Sequence, residues 1–124
     1  MSRIYADTFN ILITGSTGFI GFHLSSMLLS KGYSVVGIDN MNSYYDVTLK
    51  EDRLRLLEKY DNFTFYNLDI KYGEKVSNLF ERYKFTHVIN LAAQAGVRYS
   101  IENPSVYMES NMTGFFNILE ACRH

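Results

Sequence analysis

The feature that most constrains this chain is Thr14-Gly15-Ser16-Thr17-Gly18-Phe19-Ile20-Gly21, with glycine at every third position. Asn10 to Thr14, just before it, is a short β-branched run that reads as a strand buried on both faces. After it, Ile20, Leu24, Met27 and Leu28 recur at helical spacing until Lys31-Gly32 supplies a helix stop. Between a strand and a helix each glycine has its own task. Gly15 permits a tight turn with positive φ. Gly18 removes a side chain where a pyrophosphate approaches the backbone, and Gly21 lets the helix pack closely on the strand. The exposed amides and the positive end of the helix dipole then bind phosphates.

The remaining chain repeats the strand-helix alternation. Ser34 to Asp39 reads as a second buried strand, and Asn40 to Asp46 as a polar, tyrosine-bearing loop. A charged helix is expected over about 47 to 60, with Leu54 and Leu57 inward. Asn62 to Leu68 is a third strand. Val76, Leu79, Phe80 and Tyr83 form a helical stripe, and Thr86 to Leu91 is a fourth strand. Ala92 to Glu102 is a loop. Asn103-Pro104 caps and opens a last helix over 104–122, with Met108, Met112, Phe115, Leu119 and Cys122 along one face. Cys122, Met112, Phe115 and Leu119 are expected in the core. The order β-α-β-α-β-α-β-α implies an α/β fold, a parallel sheet with helices on both faces. A full dinucleotide-binding sheet has about six strands. Residues 1–124 therefore read as the N-terminal part of such a domain, truncated after about four strands.

Composition narrows the function. The chain is 47% hydrophobic and 20% charged, an ordinary globular balance. Its 12 basic and 13 acidic residues leave a net charge of -1, which does not favour nucleic acid. One cysteine cannot form an internal disulfide, and no Cys/His spacing suggests zinc, so no metal is expected. Residues 1 to 9 are too polar for a signal peptide, and no run approaches the ~20 apolar residues of a membrane span. A cytoplasmic location follows as the expectation.

Asp39 closes the second strand eighteen positions after Gly21. An acid at that distance accepts from the adenosine ribose hydroxyls. Asn40 and Met41 follow it, with no arginine for a 2′-phosphate, which favours NAD over NADP. Asp69-Ile70 leaves the third strand where it can border the adenine, and Leu91-Ala92-Ala93 leaves the fourth with small residues that suit a flat cofactor. His23 reads as a helix-face residue.

The Thr-Gly-x-x-Gly-x-x-Gly spacing with Leu91-Ala92-Ala93 resembles the extended short-chain dehydrogenase/reductase superfamily, within it the NAD-dependent epimerase/dehydratase family. Gly37 to Asp46 (Gly-Ile-Asp-Asn-Met-Asn-Ser-Tyr-Tyr-Asp) is similar to UDP-glucuronate 4-epimerases. So are Ala92 to Ser100, Asn103-Pro104 and Asn111 to Phe115. The resemblance spans residues 10 to 124. It implies a Rossmann domain holding NAD, and a UDP-sugar substrate oxidised at C4 and reduced again on its other face. It assigns Gly15, Gly18, Phe19, Ile20 and Gly21 to the pyrophosphate, and Asp39 with Asn40 to the ribose. Asp69 and Ile70 fall to the adenine, and Leu91, Ala92, Ala93 and Asn111 to the cofactor side of the sheet. It assigns Gln94 and Arg98 to the sugar nucleotide. It also implies a two-fold contact through the last helix. With the unpaired edge beside the fourth strand, the expectation is a homodimer or higher self-association through the 104–122 helix, the exposed sheet edge, or both.

The superfamily's proton-transfer tyrosine has a lysine four residues later. None of the ten tyrosines here does. The chain alone is therefore expected to be inactive, with no catalytic residue to assign. Alternatives are another NAD-dependent UDP-sugar enzyme (a UDP-glucose 4-epimerase, dehydratase or decarboxylase) or a non-catalytic nucleotide-binding module.

Overall fold

Strand β1 (Asn10–Thr14) carries Ile11 and Ile13 on one face and Leu12 on the other, and all three are buried. That burial on both faces requires cover on both, which the rest of the chain supplies. The structure, a computed structural model, describes residues 9–41, 47–92, 104–105 and 109–123. After β1 come α1 (Phe19–Ser30), β2 (Ser34–Asp39), α2 (Val47–Leu57), β3 (Phe63–Asn67), α3 (Gly73–Tyr83) and β4 (His87–Asn90). A π-helical stretch (Glu109–Thr113) leads into α4 (Gly114–Arg123).

The four strands form one parallel sheet in the order β3-β2-β1-β4. In β1, Ile13 lies opposite Gly37 of β2 and Ile89 of β4. The alternation of side chains along a strand divides the core. On one face Ile11, Ile13 and Val35 meet Leu29 of α1 and Leu57 of α2. On the other, Leu12, Val36 and Ile38 meet Val76 and Leu79 of α3 and Ile118 of α4. The expected Rossmann-type arrangement is thus present.

Two helices depart from the face their apolar residues suggest. In α1 Leu24 and Leu28 pack against the core as expected, but the fully buried residues are Gly21, Ser25 and Leu29, and Ile20 and Met27 are exposed. The glycine turn draws the start of this helix too close to β1 for a large side chain. The last helix is not one regular helix over 104–122. Pro104 and Ser105 are helical, and residues 109–113 are wound with the wider π spacing before α4 begins. Met112, Phe115, Leu119 and Cys122 are exposed rather than core, and Gly114 and Ile118 are buried. Small and polar residues decide this. Asn117 Nδ2 donates to the carbonyls of Ile70 (2.8 Å) and Lys71 (3.1 Å), and a Cβ on Gly73 would lie 3.1 Å from Asn117 Oδ1. The helix thus docks at the start of α3 through Asn117 and against its apolar face through Ile118. Met108 lies outside the described residues.

Candidate functional site

Strand order reverses between β1 and β4, because β2 and β3 lie on one side of β1 and β4 on the other. The carboxyl ends of strands at such a reversal form a crevice for ligands. The glycine turn leaves β1 there, beside the segment leaving β4. Gly15 has φ +71°, and a Cβ on it would lie 2.9 Å from the amide nitrogen of Ala92. The turn is anchored to β2: the amides of Gly15 (2.8 Å) and Ser16 (3.2 Å) both donate to the Ile38 carbonyl. Gly18 is the N-cap of α1 and provides no side chain to cap it. The first helical bond runs from Phe22 N to the Gly18 carbonyl at 2.9 Å. The amides of Phe19, Ile20 and Gly21 precede it, and like those of any helix start they have no intrahelical acceptor. The side chains of Phe19 and Ile20 are exposed, so both contribute to the site through backbone.

Thr14 joins the two halves of the crevice. It is fully buried, and its Oγ1 accepts from the amides of Leu91 (2.9 Å) and Ala92 (3.0 Å) while donating to Asn90 Oδ1. Leu91 and Ala92 are therefore fixed against the turn. Ala93, Gln94 and Arg98 lie outside the described residues.

Asp39 ends β2 and is 5% exposed. Its Oδ2 accepts from the Thr17 amide (3.2 Å) and hydroxyl (2.7 Å). Its Oδ1 accepts from the Met41 amide (3.0 Å) and from Lys50 Nζ (3.0 Å). Met41, two residues on, takes a left-handed φ of 53°. Lys50 of α2 is itself buried, so this is an ion pair largely removed from water. Arg53, three residues on, donates from Nη1 to the Thr17 carbonyl at 3.1 Å and stands 6.0 Å from the Phe19 ring centroid.

Next to this, Asn40 Nδ2 donates to Asp69 Oδ2 at 3.1 Å and ties together the ends of β2 and β3. The other oxygen of Asp69 accepts from the Lys71 amide at 3.0 Å. The Ile70 side chain is buried in the core, which leaves only its main chain to border a ligand. Asn111 is half-buried in the π-helical stretch.

Thr14, Thr17, Lys50 and Arg53 are absent from the sequence assignment. The two threonines carry a weak signal, as hydroxyl residues inside a glycine turn. The basic pair carries none. No arginine follows Asp39 closely along the chain, but α2 brings Lys50 onto its carboxylate and Arg53 onto the neighbouring Thr17 carbonyl across the fold.

The cradle fits a dinucleotide: a helix start without a side-chain cap, a glycine at its mouth and a buried carboxylate beside it. Fold and site together define a nucleotide-binding α/β protein of Rossmann type. Residues 12–124 match the family described as GDP-mannose 4,6 dehydratase, and the chain belongs to that family. It is 53% identical over 114 residues to Protein CapI of Staphylococcus aureus, covering 92% of this chain and 34% of that protein. It is 51% identical over 109 residues to the UDP-glucuronate 4-epimerase of Thermodesulfobacterium geofontis, covering 88% of this chain and 34% of the relative. A similar crystal structure is the UDP-glucuronic acid 4-epimerase of Bacillus cereus in complex with UDP-glucuronic acid and NAD. The TM-score is 0.85 and the identity 37%, covering 94% of this chain and 37% of that one. The chain spans about a third of the length of these curated relatives. Among the described residues no helix is long and apolar enough to cross a membrane.

Proposed function

We propose that this chain is the NAD-binding part of a nucleotide-sugar epimerase whose whole reaction is reversible oxidation and epimerisation at C4 of a UDP-sugar, converting UDP-glucuronate to UDP-galacturonate. The observation that carries the reading is the glycine turn clasped to Leu91-Ala92 at the strand-order reversal, with Asp39 beside it. It occurs in a chain 51% identical to a UDP-glucuronate 4-epimerase.

In this reading the amides of Phe19 and Ile20 hold the pyrophosphate at the positive end of α1. Gly18 leaves room for it, and Gly21 holds the helix close to β1. Asp39 receives the adenosine ribose, with Asn40 fixing Asp69 beside the adenine. Leu91 and Ala92 border the cofactor; the family resemblance assigns Ala93 and Asn111 to it as well, and Gln94 and Arg98 to the sugar nucleotide. NAD, when bound, takes up and returns the C4 hydride. No residue of this chain is assigned to proton transfer, because none of its ten tyrosines has the lysine four positions on.

The reading includes a homodimer. The occupant proposed for the exposed face of α4, with Phe115, Phe116 and Leu119, is the same face of a second copy. It also includes a cytoplasmic location, where an exposed thiol such as Cys122 stays reduced.

Calorimetry with NAD, NADP and ADP-ribose tests the cofactor assignment. NAD should bind more tightly than NADP, and Asp39→Ala should weaken NAD. Failure of NAD and ADP-ribose to bind the folded chain would remove the proposal. The chain alone should not interconvert UDP-glucuronate and UDP-galacturonate, and turnover above background would show that another residue moves the proton.

A further inference from the structure

We propose that Lys50 is a specificity-determining residue of the cofactor site, a partner for a 2′-phosphate that Asp39 keeps occupied. This rests on the dinucleotide reading of the site. It concerns a residue for which that reading has no role.

Counting donors leads to it. An ionised carboxylate has about four lone-pair directions. Asp39 already accepts from four donors: the Thr17 amide, the Thr17 hydroxyl, the Met41 amide and Lys50 Nζ. A ribose hydroxyl that donates to Asp39 must take the place of one of them. Two are backbone amides, held by the turn and by the bend after β2. The third is a hydroxyl on a one-carbon stem. Lys50 alone sits on a flexible four-carbon stem with three rotatable donors. Ribose binding therefore displaces Lys50, and its ammonium remains beside the ribose within reach of the 2′ position.

The charges then set the preference. A 2′-phosphate would meet Lys50, with Arg53 three residues along the same helix, its Nη1 3.1 Å from the Thr17 carbonyl. It would also meet the Asp39 carboxylate. While Asp39 is charged it holds Lys50 and repels the phosphate, so the neutral ribose diol of NAD is selected. Without that charge Lys50 is released to meet the phosphate. Cofactor choice thus depends on a balance between β2 and α2, rather than on Asp39 alone.

The test measures binding of ADP-ribose and 2′-phospho-ADP-ribose to the 124-residue chain by calorimetry, with circular dichroism melts to establish folding. The wild type should prefer ADP-ribose. Asp39→Asn should raise the affinity ratio toward the 2′-phosphorylated ligand by about tenfold or more, the scale for removing one nearby charge. The double variant Asp39→Asn/Lys50→Met should lose that gain. Lys50→Met alone leaves Asp39 three donors and one free direction. It should bind ADP-ribose at least as tightly as the wild type and the 2′-phosphorylated ligand several-fold more weakly, a measure that stands even if Asp39→Asn does not fold. ADP-ribose binding with a ratio unmoved by Lys50→Met overturns the role of Lys50 and leaves the dinucleotide reading intact. A folded wild type that binds neither ligand overturns the dinucleotide reading, and this inference with it.

Discussion

A Cβ placed on Gly21 would lie 2.0 Å from the carbonyl oxygen of Gly15. The third glycine of the turn is thus in contact with the backbone of the first, and no other residue fits there unless the helix moves. Gly18 differs. Its added Cβ would meet only the Gly15 oxygen, at 3.3 Å, and its φ of -72° suits any residue.

The two substitutions should therefore separate stability from binding. Gly21→Ala should cost about 3 kcal/mol, the upper end for overpacking, read as a lower denaturation midpoint. Gly18→Ala should melt close to wild type and yet bind ADP-ribose about tenfold or more weakly, since a methyl group stands where the pyrophosphate approaches. Equal melting points for the two variants would show that the helix adjusts freely.

Thr14→Val keeps the shape of a fully buried side chain and removes its oxygen. The Ala92 amide then loses its acceptor, and the Leu91 amide keeps only the Thr14 carbonyl at 3.2 Å. The expected loss is about 1 kcal/mol, the scale of one net hydrogen bond, because both amides are only part-buried. Hydrogen exchange should quicken first at Ala92. Unchanged protection there would show that the clasp is not what holds the segment after β4.

Phe116 is 59% exposed, beside Phe115 and one turn from Leu119 on α4. Light scattering across a concentration series should report self-association, and Phe116→Asp should shift it to monomer. A wild-type mass that stays monomeric at the highest concentration removes the dimer. A dimer that survives Phe116→Asp moves the contact to the edge of β4, which among the described residues is paired only with β1.

Partial burial pushes the Cys122 thiol above its ordinary pKa. The thiolate is the reactive form, so a raised pKa lowers reactivity near neutral pH. Alkylation by iodoacetamide should be slower than for a free thiol at pH 8, and its rate should still be rising where a free thiol has levelled off. A rate that levels off with the free thiol would place Cys122 fully in water.

Much of this was legible along the chain. Strands buried on both faces are continuous apolar runs, so β1 and β2 stood out, and Gly32, with φ +95°, ends α1 as expected. The glycine spacing determined the turn because each task there is local: a positive φ at Gly15, room at Gly18, contact at Gly21. The faces of α1 and α4 were not legible. Apolar content points to Ile20 and Phe115, whereas the residues buried are Gly21, Ser25 and Leu29 in α1 and Gly114 and Ile118 in α4. The π-helical stretch before α4 has no periodic signature either.

The sequence by itself determined that a strand, a phosphate-binding turn and a helix open this chain, and that an acid follows at the distance of a ribose. Those features depend on neighbours in sequence, where backbone geometry alone decides the outcome. Only the tertiary structure decided what surrounds that acid. Lys50 lies eleven residues beyond Asp39 and Thr17 twenty-two before it, on separate elements. Their meeting depends on the β3-β2-β1-β4 order and on how α2 packs against the sheet. Charge pairing across a fold leaves no periodicity in the chain, so the groups that surround Asp39 became visible only in three dimensions.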